Sequence, residues 1–245
     1  MSDDANDITF RSDVTVELVR HSASDADVIF AARVSTQGEQ TLEGAASGAE
    51  ATERDRGLIN YRMRDRHGSP FEHNSLTFYV QAPIFVFREF MRHRIASYNE
   101  ESGRYRELRP VFYVPGPERK LIQVGKPGAY DFVEGTTEQY ELTVAEIKNT
   151  CTEAYASYQR MLDAGIAREV ARAVLPVTLY SSMYVTMNSR SLMNFLSLRT
   201  KRQGTHFPSF PQREIEMVAD LMEQAWEPLM PMTAAAFNAG GRVAP

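Results

Sequence analysis

The sequence predicts a mixed α/β (α+β) fold in a single domain, with a mixed sheet packed with long helices, and three observations support this prediction. Strand-like alternation and helix-like spacing of apolar residues follow one another along the chain. The sequence contains no internal repeat and no linker that would separate two domains. With 245 residues, 43% of them hydrophobic, the chain can bury one large core. We expect the domain to span residues 13–235, between a flexible tail at 1–12 and a C-terminal tail at 236–245.

Short runs in which apolar and polar residues alternate predict the strands, because successive side chains of a strand point to opposite faces. The first two alternating sets are Val14, Val16 and Leu18, and then Leu76, Phe78 and Val80 within 75–81. Further strands are expected at 112–114 and 181–187.

Apolar residues that recur every three or four positions predict the helices. The longest is the clearest, because one face collects its apolar residues and Gly165 ends it. Ser24 is the expected N-cap of the first helix, and Pro83 and Pro211 suit the first turns of two others. The apolar face of the longest helix consists of Tyr140, Val144, Ile147, Cys151, Ala154, Tyr158 and Met161. Other helices are expected at 53–66, 84–91, 168–175, 189–199 and 212–230.

Two segments are expected to be loops. Residues 36–52 are rich in Gly, Ala, Ser, Glu and Gln, so they have little apolar surface to bury. Residues 115–135 carry Pro and Gly, which is typical of connecting segments.

Composition and charge exclude several classes of protein. Twenty-seven basic and 32 acidic residues give a net charge of −5, whereas a general nucleic-acid coat protein is basic. No apolar run approaches the roughly 18 residues of a membrane span, and the acidic N-terminal segment lacks the apolar core of a secretory signal. The single cysteine, Cys151, fits a reducing cytoplasm. We therefore expect a cytoplasmic protein with no nucleic-acid or membrane partner.

The spacing of potential ligand residues excludes two common kinds of site. The five histidines are scattered and show no zinc-binding spacing, so no metal site is expected. The chain also lacks Gly-x-Gly-x-x-Gly, so a Rossmann dinucleotide site is not predicted.

The chemistry of the chain concentrates in residues 88–109. This acidic protein places six arginines there: Arg88, Arg92, Arg94, Arg104, Arg106 and Arg109. Guanidinium groups bind phosphate and carboxylate, and the nearby Ser, Asn and Glu suit a hydroxyl-bearing ligand such as a nucleotide. Two other interpretations stay open here. The arginines pair with neighbouring glutamates on a solvated surface, or Tyr98 and Tyr105 stack on bases in a local RNA-binding patch.

A thirteen-residue motif lies within this segment. Residues 92–104 read Arg-His-Arg-Ile-Ala-Ser-Tyr-Asn-Glu-Glu-Ser-Gly-Arg. The motif resembles the signature of the flavin-dependent thymidylate synthases, and all eight fixed positions of that signature are filled. Residues 31–35, 67–73, 168–172 and 188–196 also resemble that family, so the resemblance covers most of residues 14–230.

The resemblance implies a reductive methylation. The uracil C5 of dUMP receives a methylene group from methylenetetrahydrofolate, reduced FAD supplies the hydride, and NADPH re-reduces the flavin. It also implies a mixed α/β fold and a homotetramer whose active sites lie between subunits, for which the apolar long helix offers an association face. The alternative is a non-catalytic nucleotide- or RNA-binding protein on the same scaffold.

The resemblance also implies a role for each matching residue. Those for dUMP are Arg92, Glu100, Glu101, Ser102, Gly103, Arg104, Arg172 and Arg199, together with Glu89, which stands where many members of the family have Gln. Those for FAD are His67, Ser69, Arg92, His93, Arg94, Glu100, Asn188, Ser189, Arg190 and Asn194. Glu100 is expected between the flavin and dUMP. The path of residues 201–211 is expected to differ from that of shorter members of the family.

Arg199 matches the arginine that faces the pyrimidine ring, and we expect it to be the catalytic residue. A permanent cation beside the ring stabilises the charge that develops there. On the residues alone, the favoured interpretation of Arg199 is a helix C-terminal charge that faces the dipole. Cys151 lies on the apolar face of the long helix, so we expect chemistry without a cysteine nucleophile.

Overall fold

The structure is a computed structural model that describes residues 7–42, 52–127 and 129–245. The strands are β1 Thr9–Arg11, β2 Thr15–Ser22, β3 Ser75–Pro83, β4 Ser97–Glu100, β5 Val111–Tyr113, β6 Ile122–Lys126, β7 Ala129–Val133 and β8 Tyr180–Met187. The α-helices are α1 Asp25–Gln37, α2 Glu53–Arg64, α3 Ile84–Phe90, α4 Thr137–Asp163, α5 Arg168–Ala171, α6 Ser189–Arg199, α7 Arg213–Trp226 and α8 Pro231–Ala239.

The described strands form three sheets. The largest has four strands in the order β2-β3-β8-β4. β1 pairs with β5 in parallel, with Phe10 opposite Phe112, and β6 pairs with β7 in an antiparallel hairpin. Interspersed helices and strands confirm the predicted mixed α/β class.

Contacts group the chain into two compact units. Unit one comprises the described part of Met1–Thr15, with Gln81–Arg92 and Asn99–Met183. Unit two comprises the described part of Val16–Val80, with His93–Tyr98 and Tyr184–Pro245.

The core of unit one forms around the long helix α4. Thr136 begins this helix with a capping box, in which its side chain and that of Gln139 satisfy each other's backbone N–H. Cys151, Tyr155 and Tyr158 are buried with Phe112 and Leu179. This part of the helix face, which we expected to serve association, instead packs inside its own unit.

In unit two, polar side chains fix the ends of the helices. Ser24 caps α1 as predicted, because its side chain accepts a hydrogen bond from the Asp27 N–H. The buried Asp25 carboxylate accepts bonds from Met232 N at 2.7 Å and Thr233 N at 2.9 Å. One carboxylate therefore satisfies the N-terminus of α8 and ties it to α1.

The predicted loop at 115–135 is wrong in part, because it contains the hairpin of β6 and β7. Val124, Tyr130 and Val133 are exposed, so burial did not impose the alternation that reveals a half-buried strand. The hairpin is held by backbone pairing, which has no apolar signature in the sequence.

The predicted loop at 36–52 needs a similar correction. Helix α1 continues to Gln37 and a 3-10 turn follows at Gly38–Gln40. Residues 43–51 lie outside the described residues.

Several predicted boundaries also differ from the structure. The helix predicted at 212–230 ends at Trp226, because Pro228 has no N–H to continue the helical hydrogen bonds. Pro231 then starts a new helix. Strand β1 lies within the expected tail at 1–12, of which residues 1–6 are not described. Helix α8 runs into the expected tail at 236–245, where Arg242 and Ala244 are buried. In the described residues, no helix is long and apolar enough to cross a membrane.

Candidate active site

A cavity of about 600 Å³ lies in unit one. Its polar lining comes from the end of β4, the loop after it and the segment that starts at α5. The lining residues are Ile84, Phe87, Arg88, Met91, Glu100, Glu101, Ser102, Glu169, Arg172, Ala173, Leu175 and Val177. The structure thus brings together Glu100, Glu101, Ser102 and Arg172, which were predicted to line the dUMP pocket.

The ion pairs around this cavity leave it suited to an anion. Glu101 pairs with Arg106 at 3.1 Å, and Glu169 pairs with Arg104 at 2.8 Å. Within the described part of the chain, no carboxylate pairs with Arg172, and the same is true of Arg88. The carboxylates of Glu101 and Glu169 are therefore neutralised by other arginines. The guanidinium groups of Arg88 and Arg172 keep their N–H donors for a ligand.

Gly103 is required by a close approach. A Cβ at this position would lie 2.7 Å from Leu108 Cδ1 and 3.2 Å from Arg172 Cδ. The Glu101 N–H also donates to the Ser182 carbonyl at 2.8 Å, which fixes the start of the loop. The glycine of the motif therefore lets the Arg172 stem pack against the loop.

The last turn of α3 and the turn that follows it supply two other predicted residues, Glu89 and Arg92. Arg92 is exposed, and its N–H donates to the Glu89 carbonyl at 3.2 Å. Among the described lining residues, the cavity includes Arg88 and Met91 of this segment but not Glu89. A contact between Glu89 and dUMP stays a prediction.

In unit two, a second group of predicted residues meets at the N-terminus of α6. The Asn188 side chain caps the helix by accepting a bond from Ser191 N at 2.9 Å. The buried Ser189 hydroxyl donates to the Phe71 carbonyl at 2.8 Å, and Ser189 N donates to Asn74 Oδ1 at 2.7 Å. Ser189 therefore holds the 3-10 turn Ser69–Glu72 against the helix.

Arg190 lies beside this turn. It pairs with Glu72 at 2.5 Å and donates through Nε to the Pro245 carbonyl at 2.5 Å. A Cβ at Gly68 would overlap the Arg190 guanidinium and lie 2.8 Å from the Pro245 carbonyl oxygen, so a side chain there would displace both groups. Ser69 is exposed at the start of the turn.

His67 is held in one tautomer. Arg62 Nη1 lies 2.7 Å from His67 Nδ1, and a guanidinium can only donate. His67 Nδ1 is therefore the acceptor, and the ring proton resides on Nε2. The Tyr61 ring meets the His67 ring edge to face, with 5.7 Å between centroids.

The other end of α6 carries Arg199. Its Nε donates to His93 Nε2 at 3.1 Å. Burial and the charge of Arg199 lower the His93 pKa from 6.5 to about 4, so the ring is neutral at physiological pH. Arg190 and Arg199 are nine residues apart on one helix, which corresponds to roughly 14 Å of helical rise.

Two remaining predicted residues are exposed. Asn194 Nδ2 donates to the Arg190 carbonyl at 3.3 Å, and Arg94 follows His93 on the surface. Their predicted contacts with FAD stay predictions.

Cys151 has the environment of a packed residue. It is 1% exposed in the core of unit one, and Sγ lies 3.3 Å from Thr178 Oγ1. Burial raises the pKa of its thiol, which disfavours the thiolate that a nucleophile requires.

Comparison with known proteins identifies the family. The family model described as thymidylate synthase complementing protein matches residues 17–232. A flavin-dependent thymidylate synthase of Streptomyces avermitilis is 67% identical over 238 residues, which cover 97% of this chain and 96% of the relative. The chain belongs to the flavin-dependent thymidylate synthase family.

Solved structures agree with this membership. A UMP/dUMP methylase, PolB from Streptomyces cacaoi, bound with 5-Br dUMP, is 56% identical with a TM-score of 0.90, over 97% of this chain and 100% of that one. The same methylase bound with 5-Br UMP is 55% identical with a TM-score of 0.88, over 98% of this chain and 100% of that one.

The α6 N-terminus fits an anionic cofactor. The helix dipole favours negative charge there. Arg190 adds a cation, whose solvent-exposed pair with Glu72 is weak enough to be exchanged for a phosphate. The close approach of Gly68 to Arg190 forms a cradle that any side chain would fill. The residues present therefore suit the diphosphate of FAD.

Three residues around these sites were not among the predicted site residues. Arg88 lines the cavity, Asn74 holds Ser189, and Arg62 fixes His67. Arg88 belongs to the conspicuous arginine segment, so its presence carried a signal. Arg62 contacts His67 five positions later in the sequence, and Asn74 contacts Ser189 115 positions later. No local sequence pattern predicts either contact.

Proposed function

We propose that this enzyme converts dUMP to dTMP by reductive methylation, without a cysteine nucleophile. Methylenetetrahydrofolate is the proposed carbon donor and NADPH the proposed reductant, with FAD as the flavin. The proposal depends on one observation, the cavity of unit one. Its lining includes Glu101 and Ser102, from the segment that carries the family signature, and Arg172. A relative named as a flavin-dependent thymidylate synthase, at 67% identity, supports it.

The nucleotide phosphate is proposed to bind in this cavity. A guanidinium group can donate two parallel hydrogen bonds to phosphate oxygens, and Arg172 is available for that contact. Ser102 and the backbone around Gly103 add short donors. The ion pair of Arg104 with Glu169 closes one side of the loop.

Arg199 is proposed to act on the pyrimidine ring. Uracil C5 is a poor nucleophile until negative charge is pushed toward it, so a fixed cation at the ring's N3/O2 edge lowers the barrier. A guanidinium keeps its charge at any working pH, so Arg199 suits electrostatic stabilisation and not proton abstraction.

The flavin is proposed to lie along α6. Arg190, Asn188 and the helix N-terminus would hold its diphosphate, with His67, Ser69, His93, Arg94 and Asn194 as the further contacts. When bound and reduced, FAD supplies the hydride that converts the methylene group to a methyl group. Arg92 and Glu100 are proposed to contact both ligands.

The assembly is proposed to be a cytoplasmic homotetramer with active sites shared between subunits, and its domain to span residues 13–235. The family match over 17–232 supports this extent. The exposed apolar side chains Ile95, Tyr105, Leu198 and Phe207 offer surface for association.

UMP is a second candidate substrate, because a solved relative at 55% identity is described as a UMP/dUMP methylase bound with 5-Br UMP. The test supplies purified protein with methylenetetrahydrofolate, NADPH and FAD, and measures methylated product from dUMP and from UMP separately. Product from dUMP that needs all three additions supports the proposal. Product from UMP alone makes the enzyme a ribonucleotide methylase, and no product from either substrate contradicts the proposed function.

A further inference from the structure

Two side chains with separate predicted roles are in direct contact at the end of α6. Arg199 Nε lies 3.1 Å from His93 Nε2. Because a guanidinium donates and never accepts, Nε2 must be the acceptor and the ring proton must reside on Nδ1. His93, which the resemblance assigned to FAD, therefore holds the predicted catalytic arginine.

The His93 ring is itself fixed on two sides. Phe195 meets it edge to face, with 4.9 Å between ring centroids, and lies one helical turn before Arg199. The Tyr98 hydroxyl donates to the His93 carbonyl at 2.7 Å. These contacts hold the acceptor in place before any ligand binds.

The backbone beside Arg199 is held by a separate buried network. Thr200 Oγ1 donates to the Leu196 carbonyl at 2.7 Å and accepts from Arg242 Nη2 at 2.9 Å. Arg242 Nη1 pairs with Glu223 at 2.6 Å, and both side chains are buried. The Arg199 backbone is therefore fixed next to this network, while His93 fixes the orientation of the guanidinium plane.

We propose that His93 is a positioning residue for Arg199, in which neutral Nε2 holds the guanidinium for the pyrimidine ring. The inference rests on the proposed role of Arg199. An arginine side chain loses rotamer freedom when it is ordered, and the contact with His93 orders it before the reaction. A preorganised cation stabilises developing charge without reorganising during the reaction.

The experiment compares two His93 variants with a surface control. His93→Phe keeps a ring against Phe195 but removes the acceptor, and His93→Gln restores an amide acceptor. His21→Phe is the control, because His21 is exposed on β2. Each variant is assayed as flavin-loaded protein for dTMP formation, NADPH oxidation, bound flavin and Tm, also in combination with Arg199→Ala.

We expect His93→Phe to lower dTMP formation by about 10- to 100-fold, because a misplaced reacting group costs up to that factor. The loss persists at saturating FAD, NADPH oxidation falls far less than dTMP formation, Tm stays near wild type, and His93→Gln recovers part of the loss. Combined with Arg199→Ala, the His93 change adds nothing. Additive losses of dTMP formation in the double variant would overturn the proposal. A loss of bound flavin, with dTMP formation restored by excess FAD, would overturn it too.

A second measurement separates this inference from the proposed function. Nitrogen-15 NMR of the His93 ring distinguishes protonated Nδ1 from protonated Nε2. Protonated Nδ1 that shifts in Arg199→Ala supports the contact even if the wild-type enzyme makes no dTMP. Protonated Nε2 overturns the inference whatever the enzyme produces.

Discussion

Arg199 illustrates how a residue with an ordinary local signal acquires a specific chemical environment. On sequence alone it is a basic residue at a helix C-terminus, where it complements the dipole. The structure adds the His93 acceptor and the buried Thr200 beside it. His93 lies 106 positions away in sequence, so no local pattern reveals this contact, and only the resemblance pointed to the pyrimidine role.

Loss of the Arg199 cation is expected to harm methylation far more than flavin reduction. We predict that Arg199→Ala lowers dTMP formation by roughly 100-fold or more, because one preorganised donor is worth that factor. Arg199→Lys does not restore full activity, since an ammonium cannot present the planar fork. The measurement assays dTMP production and NADPH oxidation separately, and NADPH oxidation persists in both variants.

Cys151→Ser is the matched control for this series, because the thiol is buried and packed. Its dTMP formation stays near wild type in a folded, flavin-loaded protein. Near-normal activity in Arg199→Ala contradicts the polarising role, and abolished activity in Cys151→Ser points to a thiol mechanism.

His93 is expected to resist protonation. Its folded-state pKa is lowered from 6.5 to about 4, so the unfolded chain binds the proton more readily. The stability that neutral His93 contributes is therefore complete above pH 6.5 and is lost as the pH falls from 6.5 toward 4. Proton NMR titration of the ring checks this, and a midpoint near 6.5 contradicts it.

At the scale of elements, helix α6 was predictable and its supports were not. Asn188 and the apolar spacing of 189–199 are local signals, and the helix has those bounds. The supports of its last turn are Arg242, which lies 42 positions after Thr200, and Glu223, which pairs with Arg242 over 19 positions. Buried polar contacts of this kind depend on the tertiary fold, which local patterning does not encode.

The Arg242–Glu223 pair yields a stability prediction. Its two side chains are 5% and 6% exposed, so Arg242→Met leaves the buried Glu223 with only the partly exposed Arg202 as an ion-pair partner. We expect Arg242→Met to cost about 3 kcal/mol of unfolding free energy, measured by urea denaturation. Arg213→Met is the control, since Arg213 pairs with Glu216 on the surface and its loss costs at most about 1 kcal/mol. Equal costs in the two variants argue against a stabilising network.

For the whole molecule, the sequence predicted the class of fold and most of its elements, but not which distant segments meet at the site. Alternation and helical spacing gave most elements, because those elements bury one face. The exposed hairpin of β6 and β7 was not predicted, because its strands bury little apolar surface. The cavity of unit one joins residues 84–102 with 169–177, a juxtaposition that local patterns do not reveal.

Shared active sites predict recovery of activity on mixing. Arg104→Ala and Arg199→Ala are each expected to be inactive, and a site built from two subunits takes these residues from different chains. Mixed oligomers then regain some dTMP formation after subunit exchange, because some sites receive both intact residues. Light scattering that finds only monomers contradicts the tetramer, and unrecovered activity in exchanged oligomers contradicts the sharing of these two residues.

The source of the hydride tests the central claim most directly. Methylene becomes methyl by gaining two electrons, and if flavin supplies them, the folate leaves as tetrahydrofolate. The measurement is an anaerobic single turnover, in which protein with reduced FAD receives dUMP and methylenetetrahydrofolate without NADPH. The account predicts that dTMP, oxidised flavin and tetrahydrofolate form in equal amounts. Formation of dTMP with dihydrofolate, while the flavin stays reduced, would contradict it.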